Sequence, residues 1–213
     1  RQFRACPACL RADIGPELTR ETAPRAYARI AWSLTPVHSC PIHHLLLVLP
    51  PEPGTNFDFT HGWEPWLFEL FEGDLDKPTQ AEGKYEAFAA AVLNGENPPK
   101  PGYLARLDLG AIGAAAEAMG LSLIHGAKWS KTELSAEDAA VASDVGFEVL
   151  SGGEPGVQSL FDELRFSKGK PQERPPGRYG TLHEWLLRGG GAGAEFAPLQ
   201  DHLSRHIQDT WPL

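Results

Sequence analysis

The sequence Cys6-Pro7-Ala8-Cys9 lies near the start of the chain, and Cys40-Pro41-Ile42-His43 follows after an insert of 30 residues. These two segments contain all three cysteines of the protein. In each segment two residues separate the possible ligands, a spacing that lets a tight turn direct both side chains at one ion. Thiolates and a neutral imidazole are ligands that Zn²⁺ prefers. The pattern therefore predicts one structural zinc ion bound by Cys6, Cys9, Cys40 and His43.

Other interpretations of these residues stay open at this point. Cys6 and Cys9 match a thioredoxin-type redox pair, although no strand precedes the motif and the second segment is then left without a role. A disulfide with one odd thiol needs an oxidising compartment, and no signal peptide is visible. His44 is able to replace His43 as a ligand, whereas His38 has poorer spacing. A catalytic zinc is disfavoured, because four protein ligands leave no position for water.

The length and composition fit a globular protein. A chain of 213 residues can bury a core of ordinary size, and its apolar fraction is 42%. Glycine and proline account for 41 residues, which indicates many loops. The apolar run Leu45–Leu49 is too short to span a membrane. Because the chain starts without methionine, we expect a piece of a longer protein.

The charge is distributed unevenly along the chain. Residues 1–50 carry six arginines against three acidic residues, a net charge of +3, so the remainder carries -12 of the total of -9. Nucleic-acid binding usually requires a positive surface, because neutralisation of phosphates supplies much of the affinity. Only the amino-terminal segment and the stretch from Lys168 to Arg178 offer one. The rest of the surface favours protein partners over DNA.

We predict a mainly α fold with a small amino-terminal lobe that resembles a zinc ribbon, an α+β arrangement. The expected division is a zinc-binding lobe over residues 1–60 and a helical domain over residues 61–213. Alternating apolar residues between Ala26 and Leu34 favour a strand, with Trp32 packed over the lobe. So small a lobe needs metal binding for its stability.

Six further segments have helical patterns. Glycines at 120 and 146 are interpreted as the stops of two of these helices. The predicted segments are Ala81–Leu93, Leu107–Met119, a helix capped by Ser135 that reaches Val145, a helix from Gly152 to Leu164, Leu182–Leu187 and Phe196–Ile207.

Several weaker patterns have a structural and a functional interpretation. The segment from Ala114 to Ser122 is similar to the middle of a helix-turn-helix, but its flanking helices are not basic. The aromatic and acidic residues between 61 and 77 favour a buried helix turn, with a protein-docking patch as the alternative. His202 and His206 are four residues apart on a helix, yet no further ligand completes a metal site. We therefore expect both on the surface.

Three amino-terminal segments form a recognisable pattern. They are Cys6-Pro7-Ala8-Cys9-Leu10, Tyr27-Ala28-Arg29-Ile30-Ala31-Trp32-Ser33-Leu34, and Cys40-Pro41-Ile42-His43 with Leu45 to Leu47. Together these segments resemble the TniQ family. Further likeness is looser and extends over Gly146–Leu150, Tyr179–Leu186 and the run from Phe196 to Trp211-Pro212.

The resemblance implies a bacterial, non-enzymatic accessory protein in DNA transposition, cytoplasmic and associated with the nucleoid. Proteins of this family help to select target sites. They bind target DNA, or dock on a target-bound complex such as a CRISPR effector, and recruit an AAA+ transposition regulator. The family's zinc ligands correspond to Cys6, Cys9, Cys40 and His43. The alternative function is a thiol redox protein that uses Cys6 and Cys9.

One departure from the family pattern concerns DNA. Family members often have a second Cys-Pro-x-Cys shortly after the histidine, and here the sequence reads Val48-Leu49-Pro50-Pro51-Glu52-Pro53. A second zinc ribbon is therefore not expected, and a DNA contact made by it is in doubt. Together with the negative charge, this favours a protein adaptor or a divergent member with another use. No membrane partner is expected.

Overall fold

The computed structural model describes residues 4–19, 21–49, 67–68, 73, 76–130, 134–166 and 174–211. These ranges contain seven α-helices and no β-strand, so the prediction of a mainly helical fold with an amino-terminal Cys/His lobe is confirmed. Short 3₁₀ helices span Ala23–Arg25, Ile30–Ser33, Gly102–Ala105 and Ala194–Phe196. The α-helices are α1 (Pro7–Ile14), α2 (Lys84–Leu93), α3 (Leu109–His125), α4 (Ala136–Ser151), α5 (Gly153–Phe166), α6 (Pro175–Arg188) and α7 (Ala197–Thr210).

The amino-terminal lobe is joined by isolated β-bridges. Ala5, beside the first cysteine, pairs with Val48 through two backbone hydrogen bonds of 2.9 and 3.0 Å. Ser39, beside the third cysteine, pairs with Leu46. The residue before Cys6 and the residue before Cys40 thus both pair with the segment 45–48. These single bridges give the lobe its ribbon-like path.

The predicted strand between Ala26 and Leu34 is wrong, because a 3₁₀ helix covers Ile30–Ser33. Trp32 lies in this turn and is only 2% exposed, as expected for a residue that packs inside the lobe. Ile30, two positions earlier, is 72% exposed. The apolar alternation was therefore misleading, because a tight turn brings only the tryptophan inward.

Helix α3 is the centre of the helical region and is buried along most of its length. It crosses α4 very closely, since a Cβ atom at Gly120 would lie 1.8 Å from the Ala142 carbonyl oxygen. Gly146 makes the reciprocal approach to Ala116, also at 1.8 Å. The predicted helix stops at both glycines are wrong, because these glycines permit close packing of two helices that continue beyond them.

The helix-turn-helix interpretation of Ala114–Ser122 is also wrong, because the helix continues beyond Gly120. Residues 109–125 form one continuous helix, and no turn follows Gly120. Ala115, Ala116 and Ala118 are fully buried. A helix enclosed in the core cannot present base-reading side chains to a DNA groove.

The predicted surface position of His202 and His206 is wrong. Both lie on α7 and are only 8% and 3% exposed. His202 Nε2 lies 3.1 Å from the amide oxygen of Gln158, and His206 Nδ1 lies 2.8 Å from its amide nitrogen. The Tyr103 hydroxyl lies 2.6 Å from His202 Nδ1. One polar network therefore joins α5 and α7, which four-residue spacing alone did not reveal.

Several predictions fall outside the described residues. They include the domain boundary near residue 60, most of the aromatic and acidic segment 61–77, and residues 168–173 of the basic stretch Lys168–Arg178. Of the aromatic segment, Leu67 is buried and Phe68 is 48% exposed. None of the described helices combines the length and the apolar character needed to cross a lipid bilayer.

Candidate metal centre

The first cysteine pair lies at the amino terminus of α1. Cys6 is the N-cap residue with an extended backbone, and Pro7 occupies the first helical position, where its missing N–H costs nothing. The helix then turns Cys9 back towards Cys6, whose sulfur is approached by the Cys9 backbone N–H. The positive end of the helix dipole favours thiolates at this position.

The second pair lies in a tight turn. The His44 N–H donates a 2.9 Å hydrogen bond to the Cys40 carbonyl, and the Cys40 N–H donates to the Leu45 carbonyl at 2.8 Å. His44 has a φ of 50°, which is uncommon for a residue other than glycine. This left-handed residue reverses the chain immediately after His43, so that the imidazole lies on the same side as the Cys40 sulfur.

The four predicted ligand atoms come together. Nδ1 of His43 lies 3.5, 3.3 and 3.7 Å from the sulfurs of Cys6, Cys9 and Cys40, respectively. The Cys9 and Cys40 sulfurs are 3.6 Å apart, and all ligand atoms lie within 4.8 Å of one another. A tetrahedral zinc with Zn–S of about 2.3 Å and Zn–N of about 2.0 Å requires ligand separations of roughly 3.8 Å between sulfurs and 3.5 Å from sulfur to nitrogen. The cluster has the size that can hold such an ion.

The thiol chemistry also fits a cation. Hydrogen bonds from the Cys6 and Cys9 thiols lower the pKa of Cys40, while sharing a hydrogen bond with Cys40 raises the pKa of Cys6 to about 11 and raises the pKa of Cys9 as well. Hydrogen bonding to Cys40 and burial thus disfavour the charged thiolate at Cys6 and Cys9. A bound divalent cation favours the thiolate form of the cysteines instead, because thiolate, not thiol, is the metal ligand. The donor set therefore suits a divalent metal.

The two histidines considered as alternatives to His43 lie outside the cluster. His44 is exposed and outside the cluster. The Nδ1 atom of His38 lies 3.2 Å from a guanidinium nitrogen of Arg4, and its Nε2 lies 3.4 Å from a carboxylate oxygen of Glu117. Because arginine only donates, Nδ1 accepts and Nε2–H donates to the carboxylate. His38 thus fastens the lobe to α3.

The sequence did not reveal an arginine brace beside the cysteines. Arg29 donates two hydrogen bonds of 3.1 Å to the carboxylate of Asp13 at the end of α1. Its guanidinium also lies 4.6 Å from the ring centre of Tyr27 and 4.9 Å from that of Trp32. Burial is the largest influence and opposes the charge, but the bonds to Asp13 together with the charges of Cys9, Asp13 and Tyr27 outweigh it and raise the pKa of Arg29. The sequence signal for this brace was the run Tyr27-Ala28-Arg29-Ile30-Ala31-Trp32, in which the arginine lies between two aromatic residues.

A second brace connects the Cys40 turn to the helical region. The Glu86 carboxylate on α2 accepts hydrogen bonds from the backbone N–H groups of His38 and Ser39, at 3.2 and 3.3 Å. Glu86 is 1% exposed, and burial raises its pKa. Asp144 on α4 in turn caps α2 through the N–H groups of Gly83 and Lys84, at 2.9 and 2.6 Å. The contact between Ser39 and Glu86 spans 47 residues, so no local sequence pattern predicts it.

Comparison with known proteins agrees with the geometry over the amino-terminal part of the chain. The family model described as TniQ matches residues 1–47, which include all four residues of the Cys/His cluster. No curated protein and no solved structure matches the chain. Residues 1–47 are therefore similar to a TniQ-family domain, and TniQ is a family of transposition accessory proteins.

Proposed function

We propose that this chain is a zinc-containing, non-enzymatic accessory protein in DNA transposition, which helps target-site selection as an adaptor. The observation that carries the proposal is the position of the Cys/His cluster inside the TniQ-matched segment. Cys6, Cys9, Cys40 and His43 bind a single Zn²⁺ ion. With four protein ligands the ion is structural, and it holds together the lobe through which the protein works.

The adaptor role rests on the charges of the lobe. Arg29 is paired with Asp13, and Arg11 forms an ion pair with Asp76. Arg4 donates to the carbonyl oxygens of Leu34 and Thr35, both at 2.7 Å. These arginines are thus engaged within the chain, which reduces the charge offered to phosphates. The chain connects a target-bound complex, such as a CRISPR effector, to an AAA+ regulator, and direct DNA contact contributes little.

A transposition assay in the native host tests the function. Wild-type protein and a Cys40→Ser variant are compared for restoring transposition to a strain that lacks the gene, with His44→Asn as a control that leaves the cluster intact. We expect restoration by wild type and the control, and loss with Cys40→Ser. Full activity of Cys40→Ser at normal protein levels would overturn the role of the metal lobe.

A salt titration separates the adaptor from a DNA reader. In an electrophoretic shift assay we expect weak binding of target DNA without a steep salt slope, because few phosphates are neutralised. Tight binding that falls steeply with salt would show a direct reader instead. Metal analysis addresses the redox alternative: we expect one tightly held zinc per chain, and a metal-free chain with a reducible Cys6–Cys9 disulfide would favour redox chemistry.

A further inference from the structure

Exposed apolar side chains are concentrated at one groove on the amino-terminal lobe. Eight large hydrophobic residues are exposed within the described ranges, and four of them line this groove. Tyr27, Ile30 and Ile42 are 55%, 72% and 67% exposed, and Leu93 is 38% exposed. Clustered apolar exposure of this kind marks interaction surfaces more often than isolated exposed residues do.

The groove is a built cavity with a volume of about 580 Å³. The 3₁₀ turn that carries Ile30 forms one wall, and the Cys40 turn with Ile42 forms another. The end of α2 contributes Leu93 and Asn94, and buried Trp32 lies at the base. Because the arginine brace and the Cys/His cluster fix two of these elements, little ordering is required when a ligand binds.

The charged groups at the groove are basic. Arg29 is its one charged lining residue and no carboxylate lines it, although the ion pair with Asp13 partly balances the charge of Arg29. Two of the five guanidinium donors of Arg29 bond to Asp13, and the side chain is 23% exposed, so a further acceptor can approach. Arg25 is also exposed, two residues before Tyr27. A complementary ligand is therefore apolar and acidic.

The backbone beside the groove offers hydrogen bonds. Ala26 and Arg29 have extended dihedral angles. Between them, Tyr27 and Ala28 have no recorded backbone hydrogen bond to any part of the chain that the structure describes. An extended peptide can pair its main chain with such unbonded backbone groups, while pockets for its side chains add specificity.

We propose that this groove docks an extended, acidic segment of a partner protein, which pairs with residues 27–28 and inserts an apolar side chain between Ile30 and Ile42. The identification of the partner as a transposition protein rests on the proposed function, whereas the groove itself does not. A second copy is a poor occupant. In a two-fold dimer the groove would face its own copy, which brings Arg25 and Arg29 against their equivalents.

The test uses the purified, zinc-loaded chain and a display library of random peptides of about twelve residues, long enough for an extended segment. We expect selected peptides to combine aspartate or glutamate with a large apolar residue. One selected peptide is synthesised with a fluorophore and titrated. Ile30→Asp and Ile42→Asp should weaken its binding about tenfold or more, since each places a polar group at the centre of the contact.

Matched controls keep this result interpretable. Ile124 is 45% exposed on α3 and outside the groove, so Ile124→Asp should bind the peptide like wild type. Arg25→Glu should weaken binding, whereas Arg205→Glu, at an exposed position on α7, should not. Zinc content and circular dichroism confirm that each variant is folded. Ile30→Asp is the decisive variant, because Ile42 adjoins His43.

Several outcomes would overturn the proposal. These are selection of no peptide, selection of basic peptides, or equal loss of binding with Ile124→Asp. A dimer in sedimentation that Ile30→Asp dissociates would show that a second copy occupies the groove. The peptide titration needs no transposon, so its failure leaves the transposition role standing. Conversely, a negative transposition assay leaves measured peptide binding intact.

Discussion

The amino-terminal lobe and the helical region are held together by different means. In the lobe, short turns and single β-bridges surround four clustered ligand atoms. In the helical region, long helices approach so closely that α3 and α4 have room only for glycine at 120 and 146. The lobe is therefore arranged around a cluster that could hold a metal ion, and the helical region depends on packing. The buried residues of both nevertheless form one continuous hydrophobic cluster.

The largest expected effect comes from metal removal or Cys40→Ser. Zinc contributes on the order of 10 kcal/mol to isolated zinc modules, so its loss should unfold the lobe. Hydrogen exchange should become fast at the bridge amides of Ala5 and Val48, while α4 stays protected. His44→Asn is the control, since asparagine tolerates a positive φ. Simultaneous loss of protection in α4 would show that the two regions unfold as one unit.

A second test breaks the packing of the helical region instead. Gly120→Ala or Gly146→Ala places a methyl group against a backbone carbonyl oxygen, and should reduce the free energy of unfolding by about 2–3 kcal/mol. Chemical denaturation measures this, and zinc content should be unchanged. Gly110→Ala is the matched control on α3, because its added Cβ meets its nearest atom at 3.5 Å. Equal destabilisation by Gly110→Ala would refute close packing as the cause.

A third test addresses the connection between the regions. Glu86→Ala leaves the N–H groups of His38 and Ser39 without their acceptor, which should cost about 1–3 kcal/mol. We also expect faster zinc release to a chelator, because the Cys40 turn loses its support. Glu86→Gln keeps an acceptor oxygen in place and should behave more like wild type. If both variants release zinc at the wild-type rate, the brace does not couple the two regions.

The smallest effect concerns pH. Burial lowers the pKa of His202 and of His206, so the folded protein binds fewer protons than the unfolded chain. Stability is therefore full above the ordinary histidine pKa of about 6.5 and is lost as pH falls towards the lowered folded values. The charged groups near His206 are Asp162, Arg165 and Asp209, and those near His202 are Glu154 and Arg205.

Denaturation at several pH values measures this loss. His206→Gln should flatten the decline between neutral and mildly acidic pH, because a titrating group has been removed. His125 is exposed at the end of α3, and His125→Gln should leave the decline unchanged. An unaltered slope in His206→Gln would show that this histidine is not forced to stay neutral by the fold.

The Cys/His cluster and the helical character of the chain were predictable from local sequence patterns. The two-residue spacings identified Cys6, Cys9, Cys40 and His43 as candidate ligands. Such spacings are informative because local turns decide which side chains converge within each segment. The helical segments followed from periodicity, and the N-cap at Ser135 was foreseen from its acidic neighbours. These features depend on residues close together in the chain.

Other features depend on how distant parts of the chain pack together. Gly120 has the same sequence signature as a helix stop, and its contact with α4 alone shows that it is a packing position. The burial of His206 and the brace from Glu86 to the Cys40 turn likewise depend on partners more than 40 residues away. The groove beside Ile30 exists because three separate elements meet there. Contacts between distant residues leave no local pattern, since they arise only when the helices pack.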